Sequence, residues 1–167
     1  MNQIHKLVAG LLVSVAFLLT NCGKDTTTTT IITNPPNPTP TEVKTALLVG
    51  KSWAWTGYTL ALGSAAATDQ YSSLAACKKD NIVKFTADGK YSEDEGATKC
   101  NASDPQIAES GTWIFSNNLT AITVTPTGQS FKVAQLLELT ATTLKIYDNS
   151  LTVNGVNYTY TYTYTAK

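Results

Sequence analysis

Three thiols carry most of the chain's capacity for covalent chemistry: Cys22, Cys77 and Cys100. A cysteine can be acylated, oxidised to a disulfide or used as a metal ligand, and its surroundings decide which. Cys22 closes an apolar run in LLTNCGKD, whereas Cys77 and Cys100 stand among charged residues in CKKDN and EGATKC. The lone histidine, His5, precedes that apolar run. Removal of the run as a leader leaves no imidazole, which excludes Ser-His-Asp and Cys-His catalysis and every histidine metal site. Carboxylates remain. Glu93-Asp94-Glu95, with Asp80 and Asp88, carries enough charge for calcium. Strand alternation splits that run between two faces, however, and the D-x-D-x-D-G spacing of a calcium loop is missing. The run is read as solvated charge. No catalytic or metal residue is assigned, no cofactor is called for, and the protein is read as a non-enzyme.

The elements around Cys22 explain its position. Residues 1–21 have the layout of a signal peptide, with His5 and Lys6 ahead of the apolar stretch 7–19. That stretch is too short to span a bilayer comfortably and suits the core of a leader. Leu19, three positions before Cys22, resembles the start of a bacterial lipobox, in which the thiol receives diacylglycerol and the leader is cut just before it. Burial of acyl chains contributes ~0.8 kcal/mol per methylene, and two chains hold a protein stably. Lys24-Asp25 resembles the export signal of surface lipoproteins in Bacteroidetes. The expected location is therefore the outer membrane, lipid-anchored, on the periplasmic face or the cell surface, the export signal favouring the surface.

Residues 22–46 are read as the lipidated cysteine and a Thr/Pro-rich disordered tether. Thr26 to Thr30 form a homopolymer, and Pro35, Pro36, Pro38 and Pro40 forbid a regular ladder. Fully extended at ~3.1 Å per residue, residues 24–42 would reach roughly 60 Å. Charge points away from nucleic acid: the 12 basic residues are all lysines, matched by 12 acids. The usual reader of phosphate and guanine, arginine, is missing.

From residue 47 the chain alternates in short segments separated by turn residues, the pattern of an antiparallel β-barrel or sandwich. The expected strands are 52–62, 81–87, 90–95, 111–115, 119–125, 131–139, 143–147 and 156–165. Trp53 and Trp55 share a face of the first, and Phe131, Val133, Leu137 and Leu139 a face of the sixth. Asp88-Gly89 reads as a hairpin turn and Asn117-Asn118 as another. The last strand contains YTYTYTYT, which sends Tyr158, Tyr160, Tyr162 and Tyr164 to one face and the threonines to the other. An unpaired strand of this kind invites aggregation, and closure against the first strand removes the edge. This favours a barrel over an open sheet. The tyrosine face reads either as a ligand wall or, more plainly, as cross-strand packing.

Cys77 and Cys100 are left once Cys22 is lipidated. In an oxidising compartment they would pair, adding ~3 kcal/mol in the chain-entropy model. A free buried thiol and a metal pair are the alternatives.

Taken in order, LLVGKSW at 47–53, CKKDN at 77–81, FTADGKY at 85–91, EGATKC at 95–100, GTW at 111–113 and LLELTATTL at 136–144 resemble the lipocalin-like domain of Bacteroidetes lipoproteins. The resemblance covers residues 47–167. It implies an all-β, eight-stranded antiparallel up-and-down barrel with Cys77 bonded to Cys100. The expected function is non-catalytic binding of a small apolar or amphipathic ligand at the barrel mouth, by a monomer. Trp53, Trp55, Phe85, Trp113, Tyr160 and Tyr162 are the candidate lining. The alternative is a structural or partner-binding module of an envelope assembly, its interior packed solid.

Overall fold

A computed structural model describes residues 37–167. The leader, Cys22 and the start of the tether lie outside the described residues. The elements run α1 (Pro40–Leu48), β1 (Ser52–Leu62), β2 (Thr68–Asp69), α2 (Ala76–Lys79), β3 (Ile82–Phe85), β4 (Lys90–Asp94), β5 (Ile107–Ser116), β6 (Ala121–Pro126), β7 (Lys132–Leu139), β8 (Thr143–Val153) and β9 (Val156–Ala166). Neighbours from β3 to β9 pair antiparallel in chain order, β1 pairs with β3, and β1 also pairs with β9. The sheet is therefore a closed eight-stranded up-and-down barrel, with the two-residue β2 folded against the outer part of β1. Among the described residues no helix is long and apolar enough to cross a membrane.

The closing seam runs from Trp53↔Ala166 to Leu62↔Tyr158. A bulge lies between Trp55 and Gly57. One extra residue reverses the alternation. Trp53 and Trp55 before the bulge, and Tyr58 and Leu60 after it, consequently lie opposite Ala166, Tyr164, Tyr162 and Tyr160, all on the inner face.

One end of the barrel is filled. Leu48, Trp53, Phe85, Tyr91, Trp113, Ile122 and Leu144 form a buried cluster there. Helix α1 covers this end, which corrects the expected tether boundary: residues 40–46 are helical. Pro40 is excluded from a ladder, yet at the first helical position its missing N–H costs nothing. Thr39 and Glu42 exchange capping hydrogen bonds, the Glu42 N–H donating to Thr39 Oγ1 at 3.2 Å and the Thr39 N–H to Glu42 Oε2 at 2.6 Å. At the far end of α1 the indole N–H of Trp53 donates to the Leu48 carbonyl at 2.8 Å, satisfying a helix-end acceptor in a buried place. Lys44 donates to the Leu119 carbonyl and Lys51 to the Ala141 carbonyl, pinning the neighbouring hairpin turns to the same end.

Two further expectations need correction. The sixth strand does not keep Phe131, Val133, Leu137 and Leu139 on one face. Leu137 follows inward Leu136 and points outward, 54% exposed, and a register shift between Leu136 and Glu138 brings Leu139 back onto the core. Phe131 precedes the strand and is 67% exposed. The turn after β5 is also longer than expected, because Asn117, Asn118 and Leu119 all have positive φ and β6 begins only at Ala121. The Asp88-Gly89 turn falls where expected, Gly89 adopting φ +78°. Gly111, on β5, has a different reason to lack a side chain: a Cβ there would lie 2.1 Å from the Thr125 carbonyl oxygen on β6.

Replacing Trp53 by Phe leaves the Leu48 carbonyl buried without its donor and shrinks a fully buried ring. The expected loss is about 2–4 kcal/mol of unfolding free energy. In urea this appears as a lower midpoint with an unchanged slope.

Candidate functional site

Next to that packed cluster the barrel interior is hollow. Two adjoining chambers of about 270 Å³ and about 130 Å³ share Phe85, Glu93, Val124, Ile146 and Tyr164. Their walls follow from strand alternation. On β9 the inward residues are Tyr162 and Tyr164, on β8 Ile146 and Asp148, on β7 Lys132 and Ala134, and on β6 Ile122 and Val124. Residues β-paired to these continue each ring level, as in Tyr58–Tyr162–Ile146 and Leu60–Tyr160–Asp148. A larger hollow of about 710 Å³ lies beside α1, outside the barrel. Its one charged group, Glu42, is already engaged by the Thr39 cap.

The candidate lining residues separate by level. Phe85 and Tyr162 line the chambers. Trp53 and Trp113 belong to the packed end, where the Trp113 indole donates to the Thr86 carbonyl at 3.0 Å. Trp55 and Tyr160 stand in an aromatic ladder along the seam: Trp55 lies 6.0 Å from Tyr162, Tyr58 5.2 Å from Tyr162, and Tyr58 6.2 Å from Tyr160, centroid to centroid. Such spacings are those of favourable ring pairs.

Charged groups inside the barrel were not anticipated from the sequence. Glu93 lines both chambers, and Lys132 and Asp148 line the larger one. Lys132 reaches across β6 to Glu109 Oε2 at 2.7 Å, while the Tyr91 hydroxyl donates to Glu109 Oε1 at 2.8 Å. Burial alone would raise the Glu109 carboxyl. The hydrogen bonds from Lys132 and Tyr91 outweigh it and hold the group below the ordinary glutamate range. The reading of Glu93-Asp94-Glu95 as solvated charge therefore fails. Glu93 faces the hollow, Glu95 is buried 3.8 Å from the Lys78 ammonium, and Asp94 accepts from Gln106. The available signal was the alternation itself, which puts Glu93 on the same face as buried Tyr91.

The segment between β1 and β3 packs along β1. The Tyr71 hydroxyl donates to the Trp55 carbonyl at 2.9 Å, and Tyr71 packs edge-on to Trp55. Lys79 donates to the Ser72 carbonyl and sits over the Tyr71 ring, and Lys78 lies 3.8 Å from Glu95, so both lysines fasten this segment. Cys77 and Cys100 are disulfide-bonded, with Cα atoms 5.1 Å apart. The bond ties the segment carrying α2 to the one joining β4 and β5.

A closed eight-stranded up-and-down barrel is the arrangement expected of a lipocalin-like domain. The sequence model of that family, described as a lipocalin-like domain, matches residues 48–146. The chain belongs to the lipocalin-like domain family. The match begins at the last residue of α1 and ends at Ile146 on β8, so the tyrosine-rich strand of this lipocalin-like barrel lies beyond it. No curated protein is similar enough to count as a relative.

The inner tyrosines titrate late. Burial, then the nearby Tyr58, Asp148 and Tyr160, push Tyr162 up to about 12. Tyr91 and Tyr164 are raised as well, chiefly by burial. An unfolded tyrosine loses its proton near pH 10. Between about pH 10 and 12 the unfolded chain sheds protons that the folded chain keeps, so stability is complete below that window and falls through it. Tyrosinate absorbance should rise in two stages, and Tyr162→Phe should remove amplitude from the later one.

Proposed function

We propose that the protein is a non-catalytic small-ligand carrier of the cell envelope, held to the outer membrane by a lipid on Cys22. The observation that supports binding is the interior: packed solid at the α1 end and hollow at the other. A partner-binding module with a filled barrel would have no use for the hollow half. The larger chamber, about 270 Å³, approaches the lower bound of roughly 300 Å³ for small-molecule sites. Its aliphatic and aromatic walls suit an apolar body, and phenolic hydroxyls and carboxylates suit a polar end. Purified protein examined by native mass spectrometry should carry a small-molecule adduct that is lost on denaturation. Ala134→Phe, directed into the larger chamber, should weaken its capture roughly tenfold or more without lowering the thermal midpoint. A bare mass for the unsubstituted protein would count against the carrier reading.

Support for the anchor is the leader-like run ending at Cys22, with Lys24-Asp25 after it favouring the cell surface. Metabolic labelling with palmitate should mark the full chain and leave Cys22→Ser unmarked. An unmarked parent chain beside a labelled lipoprotein control would remove the anchor and leave the barrel's binding function standing.

A further inference from the structure

We infer that the hollow half of the barrel selects ligands carrying a protonated amine, with the cation held at the level of Glu93 and Asp148 and the apolar body against Phe85, Tyr162 and Tyr164. The inference rests on the small-ligand reading above and specifies its ligand class.

The charges facing the larger chamber are Glu93, Asp148 and Lys132. Lys132 is already matched by Glu109 at 2.7 Å, which leaves two carboxylates uncompensated. They stand on β4 and β8, which the strand order places on opposite walls: three strands separate them in either direction around the ring. Each is only partly engaged. Asn81 donates to Glu93 Oε1, and the Ser150 N–H donates to Asp148 Oδ1. Among the described residues neither carboxylate has a partner for its second oxygen. Both carboxylates are half-buried, and in the lowered dielectric of the hollow each attracts a cation more strongly than it would in open water. The flanking tyrosine rings add attraction for a cation through their faces. Phenols near both acids feel this negative field: after burial, Glu93 contributes to raising Tyr164, and Asp148 to raising Tyr162. An anionic ligand such as a fatty carboxylate would have to detach Lys132 from Glu109 and also face both unpaired acids.

Isothermal titration of the purified full chain with three probes of one shape tests this: 2-phenylethylammonium, 2-phenylethanol and 3-phenylpropanoate. The ammonium should bind at least about tenfold more tightly than the alcohol, with the carboxylate weakest. Substituting Glu93→Gln together with Asp148→Asn should abolish the ammonium's advantage, so that ammonium and alcohol bind with about equal affinity. If the double variant folds poorly, Asp148→Asn alone should move the ratio in the same direction by a smaller factor. Alcohol or carboxylate binding as tightly as the ammonium would overturn the charge preference while keeping the carrier reading. An ammonium preference that survives both substitutions would also overturn it. If none of the three binds, the carrier reading falls and takes the inference with it.

Discussion

The pairing of β1 with β9 is the constraint on which everything else in the molecule depends. A strand carrying four alternate tyrosines has two usable faces and two hydrogen-bonding edges, and it is safe only when both edges are occupied. Hydrogen bonds to β8 occupy one edge and the seam with β1 occupies the other. Once the seam forms, every strand's alternation becomes a division between an enclosed side and a wet side. The tyrosines then belong to the enclosed side, and the threonines between them to the exterior. Without closure the same residues would lie on an open apolar sheet.

Enclosure has a graded interior. Near α1 the inward residues are large and mutually packed, and two indole N–H groups are spent on backbone carbonyls. Moving away from the helix, inward positions pass to Ala134, Val124 and Ile146, and then to ionisable groups. The change in residue size explains why one end is solid and the other is not. The change in polarity explains why the hollow has an orientation: a ligand entering from the loop end meets carboxylates and phenols before it meets only rings and aliphatic groups. The Lys132–Glu109 pair reaches across β6, its two ends brought near each other by the β5–β6 and β6–β7 ladders.

Much of the barrel was legible in the sequence because strand periodicity and turn chemistry are local. The Asp88-Gly89 turn, the tyrosine face and the antiparallel order all follow from neighbours within a few residues. What escaped was whatever shifts the count by one. Trp55 and Tyr58 have opposite parity in the chain yet share the inner face, because of the bulge before Gly57. The shift near Leu137 brings Leu139 onto the core three residues after Leu136, which simple alternation would not do. Helix α1 was hidden for a different reason. Its prolines and threonines resemble spacer composition, and the Thr39–Glu42 exchange that starts the helix is meaningful only with a core for Leu48 to enter. The inward charges were obscured because Glu93 sits in a run of three acids, whose composition suggests water although its spacing does not.

The seam joins Trp53 to Ala166, nearly the two limits of the barrel sequence. Contacts between such distant segments bear a large loop-closure cost before they return any stabilisation, which makes them late and slow events in folding. Hairpins from β3 to β8 can form in succession as local units, but β1 must wait with an open edge until the final strand is available. Synthesis order therefore leaves the seam edge of the first strand open longest, and a chain cut short before Val156 would have no seam to make.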